Sequence, residues 1–371
     1  MTQPAPDPAF EQAKAFFLRG VQLSEGGDFA GAERQFLASL ALLPGRASTL
    51  VNLGIARFRL GRMAEAVEPL EEALGLEPQD VNAWLHLALA RSELRRLEPA
   101  LQAVERATTL APAAGLGWSL RGDLLRELGR PADAIAAHER ALALGFEPEL
   151  QRYYLAALRG DSVPPAPPTA YVRQLFDSYA GEFDQHLVQA LGYRAPQLLV
   201  DGLQGRRFQA ALDLGCGTGL CAPLLRPIAQ RLDGIDLSPN MVRQARARGL
   251  YDEVVEADLA PHLAATPRRY DLLLAADVFI YVGDLEAVFA GAARVLEDGG
   301  AFCFSVEAAD EQERLVLRRS LRYAHSEGYI RTLADRHGFD LRATARHPLR
   351  IDQGQPLAGL FAWLARRGRV A

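Results

Sequence analysis

Residues 208–220 read FQAALDLGCGTGL. An apolar run ends in Asp213 and Leu214, and three glycines then occupy alternate positions, Gly215, Gly217 and Gly219. The run predicts a buried strand, and the glycines predict a turn where backbone must approach something closely. Working outward, RLDGIDL (231–237), EVVEA (253–257), YDLLLAA (270–276) and AFCFSV (301–306) predict further buried strands. Helices are expected over 218–230, from the Ser238–Pro239 start, and over 285–296. Strands alternating with helices imply a parallel sheet covered on both faces, with ligands at the carboxyl ends of the strands.

The glycine spacing separates two kinds of ligand. A dinucleotide turn, G-x-G-x-x-G, would need its third glycine at position 220, where Leu220 stands. Asp213, two residues before the first glycine, would repel a pyrophosphate. It suits a ligand carrying an ammonium and a sulfonium. Asp236 ends the second strand, where a carboxylate can accept from both ribose hydroxyls. Asp258 follows the third strand and is placed to accept from an adenine amino group. Asp277 and Val278 close the fourth strand.

In order and spacing, ALDLGCGTG, GIDLS, EADL and DLLLAADVFIYV resemble the successive motifs of class I S-adenosylmethionine-dependent methyltransferases over about residues 170–371. The resemblance implies an α/β, Rossmann-like domain with a mostly parallel seven-stranded sheet. It implies S-adenosylmethionine as cofactor and S-adenosylhomocysteine as product. Asp213, Gly215 and Gly217 would meet the methionine end, Asp236 the ribose and Asp258 the adenine. Cys216, Leu237 and Leu259 are their neighbours in the same contact set, and Asp277 and Val278 would lie beside the methionine and methyl group. The family pattern puts lid helices before the first strand, so Tyr179 and Phe183 become cofactor cover and His186 a substrate contact.

Methyl transfer needs a base only if the acceptor carries a proton at working pH, so no universal catalytic residue marks the chain. The place of an N/D-P-P-Y/F turn reads ADVFIY, and no Pro-Cys pair occurs, which argues against base and glutamine amino groups and cytosine carbon as acceptors. Tyr281 and His325 are the catalytic candidates, His325 as a base with a reference pKa near neutrality. Arg322 and Tyr323, in LRYAHSEGY (321–329), are candidates for holding an anionic acceptor. Strands over 339–351 and 356–367 receive no site role.

The first half repeats with a step of 34 residues: Ala32, Ala66, Ala100 and Ala134; Pro44, Pro78 and Pro112; Gly20, Gly54, Ala88 and Gly122; Trp84 and Trp118. Gly27, Gly61 and Gly129 mark turns between paired helices, with Arg95 at the third. This is similar to the tetratricopeptide repeat over about 13–148, four copies, with residues 149–159 as a capping helix. The expected layout is a tail over 1–12, an all-α repeat solenoid over 13–159, a stiff proline-rich linker over 160–169 (GDSVPPAPPT) and the α/β domain over 170–371.

By resemblance, the repeats bind a protein or peptide on their concave face; a homodimer is the alternative. Positions Phe17, Val51, Leu85 and Ser119, with Asn52 and Asn82 nearby, form no cationic clamp for a C-terminal carboxylate. The 371 residues carry a formal charge of −5, no electrostatic footprint for nucleic acid. Cys216, Cys221 and Cys303 have no zinc spacing, and no metal is expected. No signal peptide or membrane span is read, and a cytoplasmic protein is expected. The functional expectation is methyl transfer to a protein, a peptide or a carrier-bound metabolite recruited by the repeats. A free small-molecule acceptor, with the repeats used for dimerisation, and a non-catalytic cofactor-sensing scaffold are the alternatives.

Overall fold

The computed structural model describes residues 8–179, 193–352 and 355–368. The chain divides into two units, Met1–Leu158 and Arg159–Ala371.

In the first unit the 34-residue period becomes antiparallel helix pairs: α1 (Pro8–Glu25) with α2 (Phe29–Leu42), α3 (Ala47–Arg59) with α4 (Met63–Leu76), α5 (Val81–Glu93) with α6 (Leu97–Leu110), and α7 (Gly115–Glu127) with α8 (Pro131–Ala143). Helix α9 (Pro148–Arg159) follows. Ala32, Ala66, Ala100 and Ala134 are all completely buried. The other small residues explain how closely the helices approach. A Cβ on Gly20 would lie 2.5 Å from the Phe36 ring, one on Gly54 2.6 Å from Leu70 Cγ, and one on Gly122 2.5 Å from the His138 ring. Ala88, the larger member of the small series, corresponds to Val104 in the large series, the smallest of the four partners.

Gly27, Gly61 and Gly129 turn with φ of 82°, 78° and 70°, and Arg95 adopts the same left-handed form at 57°. For a residue with a side chain that conformation costs ~1 kcal/mol. The Trp84 and Trp118 indole N–H groups donate to the carbonyls of Pro78 and Pro112, each at 3.0 Å, so one contact recurs at the repeat spacing. Val51, Leu85 and Ser119, weighed above as ligand-facing, are buried. Ser119 Oγ instead accepts from Gln151 Nε2 at 2.9 Å, and Gln151 Oε1 lies 2.9 Å from His138 Nδ1.

The second unit holds nine strands among its described residues: β1 (Phe208–Leu214), β2 (Ala229–Asp236), β3 (Glu253–Glu256), β4 (Tyr270–Ala275), β5 (Leu296–Ala308), β6 (Leu315–Leu317), β7 (Tyr323–His325), β8 (Phe339–Asp352) and β9 (Gln355–Arg366). Its helices are α10 (Thr169–Tyr179), α11 (Ala195–Asp201), α12 (Ala222–Leu225), α13 (Pro239–Ala247), α14 (Leu259–Ala265), α15 (Glu286–Val295) and α16 (Glu327–Arg336). Strands β3-β2-β1-β4-β5 pair in parallel, and the antiparallel β9–β8 hairpin continues from β5. Strand order therefore reverses between β1 and β4, the position where such sheets bind ligands. Side chains alternate between two cores: Leu212, Leu214 and Leu273 pack on one face, Ala211, Leu272 and Leu274 on the other.

The fold class holds, and two details differ from expectation. The sheet has nine strands because β6 and β7 form a small hairpin in a stretch read only for its side chains. Strand β9 takes one edge of β5 from Ala301 to Glu307, so β4 and β7 divide the other edge, with β7 beyond the end of β4. The helix expected over 218–230 shrinks to the four residues of α12, because the chain must already enter β2 at Ala229. The proline segment, expected as a stiff linker, is tied at two carbonyls within the second unit. The Pro164 carbonyl accepts from the Tyr323 hydroxyl at 2.9 Å, and the Pro165 carbonyl accepts from Asp284 N–H at 2.7 Å. Prolines lack the N–H but keep a strong acceptor, and both carbonyls are used.

The small-to-large matching predicts that Gly54→Ala destabilises the chain by ~1–3 kcal/mol, the usual cost of overpacking. Adding Leu70→Val should recover part of that loss. Urea unfolding followed by helical circular dichroism checks both, and a neutral Gly54→Ala would remove the packing account.

Candidate functional site

The glycine turn is left-handed three times over, with φ of 63°, 54° and 91° at Gly215, Gly217 and Gly219. Asp236 holds it. Its Oδ2 accepts from Gly217 N–H at 2.8 Å and its Oδ1 from Ser238 N–H at 2.9 Å, so the end of β2 is tied to the turn leaving β1. Burial pushes the Asp236 pKa up, and these backbone donors oppose the shift.

Beside this turn, at the carboxyl ends of the strands, opens a cavity of about 640 Å³, within the ~300–1,000 Å³ range of small-molecule sites. Gly215, Gly217, Asp236 and Leu237 line it from the ends of β1 and β2. Asp258 and Leu259 line it after β3, and Asp277, Val278 and Tyr281 after β4. Arg322 completes the set of expected residues that the structure brings together.

Other expected residues lie elsewhere. Asp213 is 1% exposed and does not line the cavity. Its Oδ2 accepts from the Tyr251 hydroxyl at 2.6 Å, and burial, the largest influence, pushes its pKa to about 7. It braces the turn from behind. Cys216 likewise packs away from the cavity, against Val242, Ala245 and Val254. His325 is completely buried, its Nε2 2.8 Å from the Gly283 carbonyl and its ring stacked on Tyr329. Burial pushes its pKa down to about 4. It is a packed structural histidine, not a cavity base. Tyr323 is buried too, and its hydroxyl fastens Pro164. Tyr179 closes α10, but its side chain, like Phe183 and His186 altogether, lies outside the described residues.

The cavity has further lining residues. Pro165, Ala166, Pro167 and Thr169 form part of the wall. Helix α10 adds Val172, Leu175 and Phe176, the last with its ring centroid 5.0 Å from that of Tyr281, edge to face. The helix is fastened by Asp177, whose Oδ1 accepts from Ser238 Oγ at 2.5 Å and whose carbonyl accepts from Asn240 Nδ2 at 3.0 Å. The Tyr193 hydroxyl donates to the Ala276 carbonyl at 3.1 Å. Arg350 and Ile351 enter from the end of β8, and Arg350 pairs with Asp277, a residue held at φ 58°. Of these, Phe176 was legible in the sequence, since its near-helical spacing with Tyr179 and Phe183 marks it as core or as cover over the mouth of a site. Nothing local could have found Arg350.

Among the described residues no cluster of His, Cys, Asp or Glu could hold a metal ion. All three cysteines are buried, and burial pushes their thiols up, away from reactivity. None of the described helices is long and apolar enough to cross a membrane.

Comparison with known proteins finds matches in both units. Residues 212–304 match a family model described as a methyltransferase domain, and residues 17–81, 52–115 and 85–148 match one described as a tetratricopeptide repeat. A human relative, methyltransferase-like protein 27, is 38% identical over 115 residues, covering 29% of this chain and 46% of that one. The malonyl-[acyl-carrier protein] O-methyltransferase of Enterobacter lignolyticus is 28% identical over 144 residues, covering 39% of this chain and 56% of its own. Among solved structures, the magnesium protoporphyrin IX methyltransferase of Synechocystis PCC 6803 is 18% identical, with 53% of this chain and 99% of that chain covered and a TM-score of 0.42. The chain thus spans about half the length of the curated relatives it matches. It carries tetratricopeptide repeats in its first unit and a methyltransferase domain in its second.

The buried His325 predicts a pH effect with a definite sign. Its folded pKa is below the unfolded value, so between pH 6.5 and about 4 the unfolded chain binds the extra proton and stability falls as pH falls. His325→Gln removes this penalty while keeping a donor. From pH 7 to 4.5 the variant should lose ~2–3 kcal/mol less stability than the wild type. Denaturant curves at the two pH values measure the difference; equal losses would refute the neutral buried imidazole.

Proposed function

We propose that the second unit is an S-adenosylmethionine-dependent methyltransferase. The observation that carries this is the Asp236-clamped glycine turn opening onto a cavity whose far walls hold Asp258 and Asp277. The residues present fit that cofactor. Asp236 can accept from ribose hydroxyls through the lone pairs its two backbone donors leave. Asp258 serves the adenine side, with Leu237 and Leu259 as apolar neighbours. Gly215 and Gly217 leave the backbone bare where the methionine part would approach. When bound, the cofactor supplies an electrophilic methyl group on a sulfonium. The chain's own part is to position and to exclude water. Val278, Tyr281 and Phe176 make an apolar wall beside the reacting end, and α10 with the proline strap covers it.

The acceptor, on this reading, is carried by a protein or peptide, or is a metabolite attached to one, and the repeats recruit the carrier. Two facts support it. Tetratricopeptide repeats have the capacity for protein interaction. The E. lignolyticus relative is named for an acceptor borne on a carrier protein.

The test is transfer from isotope-labelled S-adenosylmethionine into host lysate, with protein and small-molecule fractions counted separately. The truncation must remove residues 1–158 and no more, because residues 165–167 belong to the cavity wall. The full chain should label a protein-bound acceptor. The truncated chain should keep its affinity for S-adenosylhomocysteine and lose most of that labelling. Label in free small molecules that survives truncation would make the repeats an assembly device.

A second prediction concerns the clamp. Asp236→Ala should weaken S-adenosylhomocysteine binding by at least ~1.5 kcal/mol, the lower end for lost charge-assisted hydrogen bonds. Calorimetry showing wild-type affinity in a folded variant would remove the ribose assignment.

A further inference from the structure

The cavity changes character along the sheet. At the ends of β1, β2 and β3 it offers carboxylates and bare glycine backbone, the groups the proposed cofactor uses. Past the end of β4 the wall turns apolar. Ile280, Tyr281 and Val282 follow the strand, and Ala287 and Val288 lie in the first turn of α15. The strap adds Pro165, Ala166 and Pro167. It is seated on this end of the sheet: the Pro165 carbonyl accepts from Asp284 N–H at 2.7 Å, and a Cβ on Gly283 would lie 2.6 Å from the same oxygen. Helix α10 joins the wall through Phe176, whose ring meets Tyr281 edge to face.

The charged groups at this end answer one another. Arg350 is 5% exposed and pairs with Asp277, and its Nη2 is buried, so it offers the cavity no donor. Arg322 lies in the field of both Asp277 and Glu307. Two ionised acids and two guanidiniums leave no net charge. Asp284 Oδ1 accepts from the Tyr329 hydroxyl and from Glu286 N–H, each at 2.9 Å. An ion entering here would give up its water and find the counter-charges already engaged. The anionic acceptor expected from Arg322 meets that obstacle. A hydrocarbon surface leaves water for the same wall with a gain.

We propose that the β4 end of the cavity is the acceptor subsite and that it binds the hydrocarbon body of an uncharged molecule. Ala166 on the strap and Ala287 on α15 bound it, with Val282 and Val288 between β4 and the helix. This deepens the methyltransferase reading and rests on it: the group presented for methylation is apolar and neutral.

The full chain, saturated with S-adenosylhomocysteine, is titrated calorimetrically with 1-hexanol, 1-heptanol and 1-octanol, and then with heptanoate and heptylammonium. Affinity should rise about fourfold per added methylene, the ~0.8 kcal/mol of a buried CH₂. Both ions should bind at least ~tenfold more weakly than 1-heptanol. Ala166→Asp and Ala287→Asp each place a carboxylate in the wall. Both alanines are exposed, and an acid in the first turn of a helix is favourable, so neither change disturbs packing. Each variant should bind 1-octanol at least ~tenfold more weakly and keep its S-adenosylhomocysteine affinity within about threefold. Should a variant misfold, the alcohols against the two ions still decide.

Alcohol affinity that does not grow with chain length, or an ion bound as tightly as 1-heptanol, overturns the subsite. So does 1-octanol binding that is undiminished in either folded variant, which puts the alcohol elsewhere on the chain. A tenfold or greater loss of S-adenosylhomocysteine affinity in a variant gives this wall to the cofactor and overturns the acceptor assignment. A wild-type chain that does not bind S-adenosylhomocysteine removes the methyltransferase reading, and this inference falls with it.

Discussion

One carboxylate organises the ligand end of the second unit. Asp236 spends both oxygens on backbone N–H groups, one in the glycine turn and one at the start of α13. A turn with three left-handed glycines in five residues has little conformational reason of its own to stay put. The hydrogen bonds from β2 give it one. The same short stretch then works outward, since Ser238 and Asn240 hold Asp177 and with it α10. Floor and roof of the cavity are thus fastened through five consecutive residues, 236–240, and the geometry of each depends on where β2 ends.

Much of this was legible because the relevant physics is local. A strand, an acid and a glycine turn sit within a dozen residues, so their order shows the strand end and the bare backbone together. The repeats were legible for a related reason. Identical packing demands recur at a fixed step, so agreement among Ala32, Ala66, Ala100 and Ala134 carries more weight than any one position. Even the exception was visible. Arg95 stands where its neighbours have glycine, and the backbone makes the same left-handed turn regardless.

The remainder depended on partners far away in the chain. His325 and Arg322 lie three residues apart and looked equivalent in sequence, yet the first is sealed inside and the second lines the cavity. Strand β7 is buried throughout, which residue types alone did not reveal. Asp213 was placed at the ligand on charge, but Tyr251, 38 residues later, takes its carboxylate. Arg350 meets Asp277 across 73 residues of sequence, from a strand whose pattern suggested only structure. The prolines were read for what they cannot donate, and their role comes from what their carbonyls accept.

The graded fit between Gly20, Gly54, Ala88 and Gly122 and the residues sixteen positions later bears on how such an array can grow. Exchanging single helices between copies would set Leu70 against a methyl group at Ala88, or leave Val104 short of Gly54. Exchanging whole pairs keeps every match intact. The heritable module is therefore the hairpin, bounded by the turns at Pro44, Pro78 and Pro112. A recombination joint inside a pair would be selected against even where both parental sequences are sound.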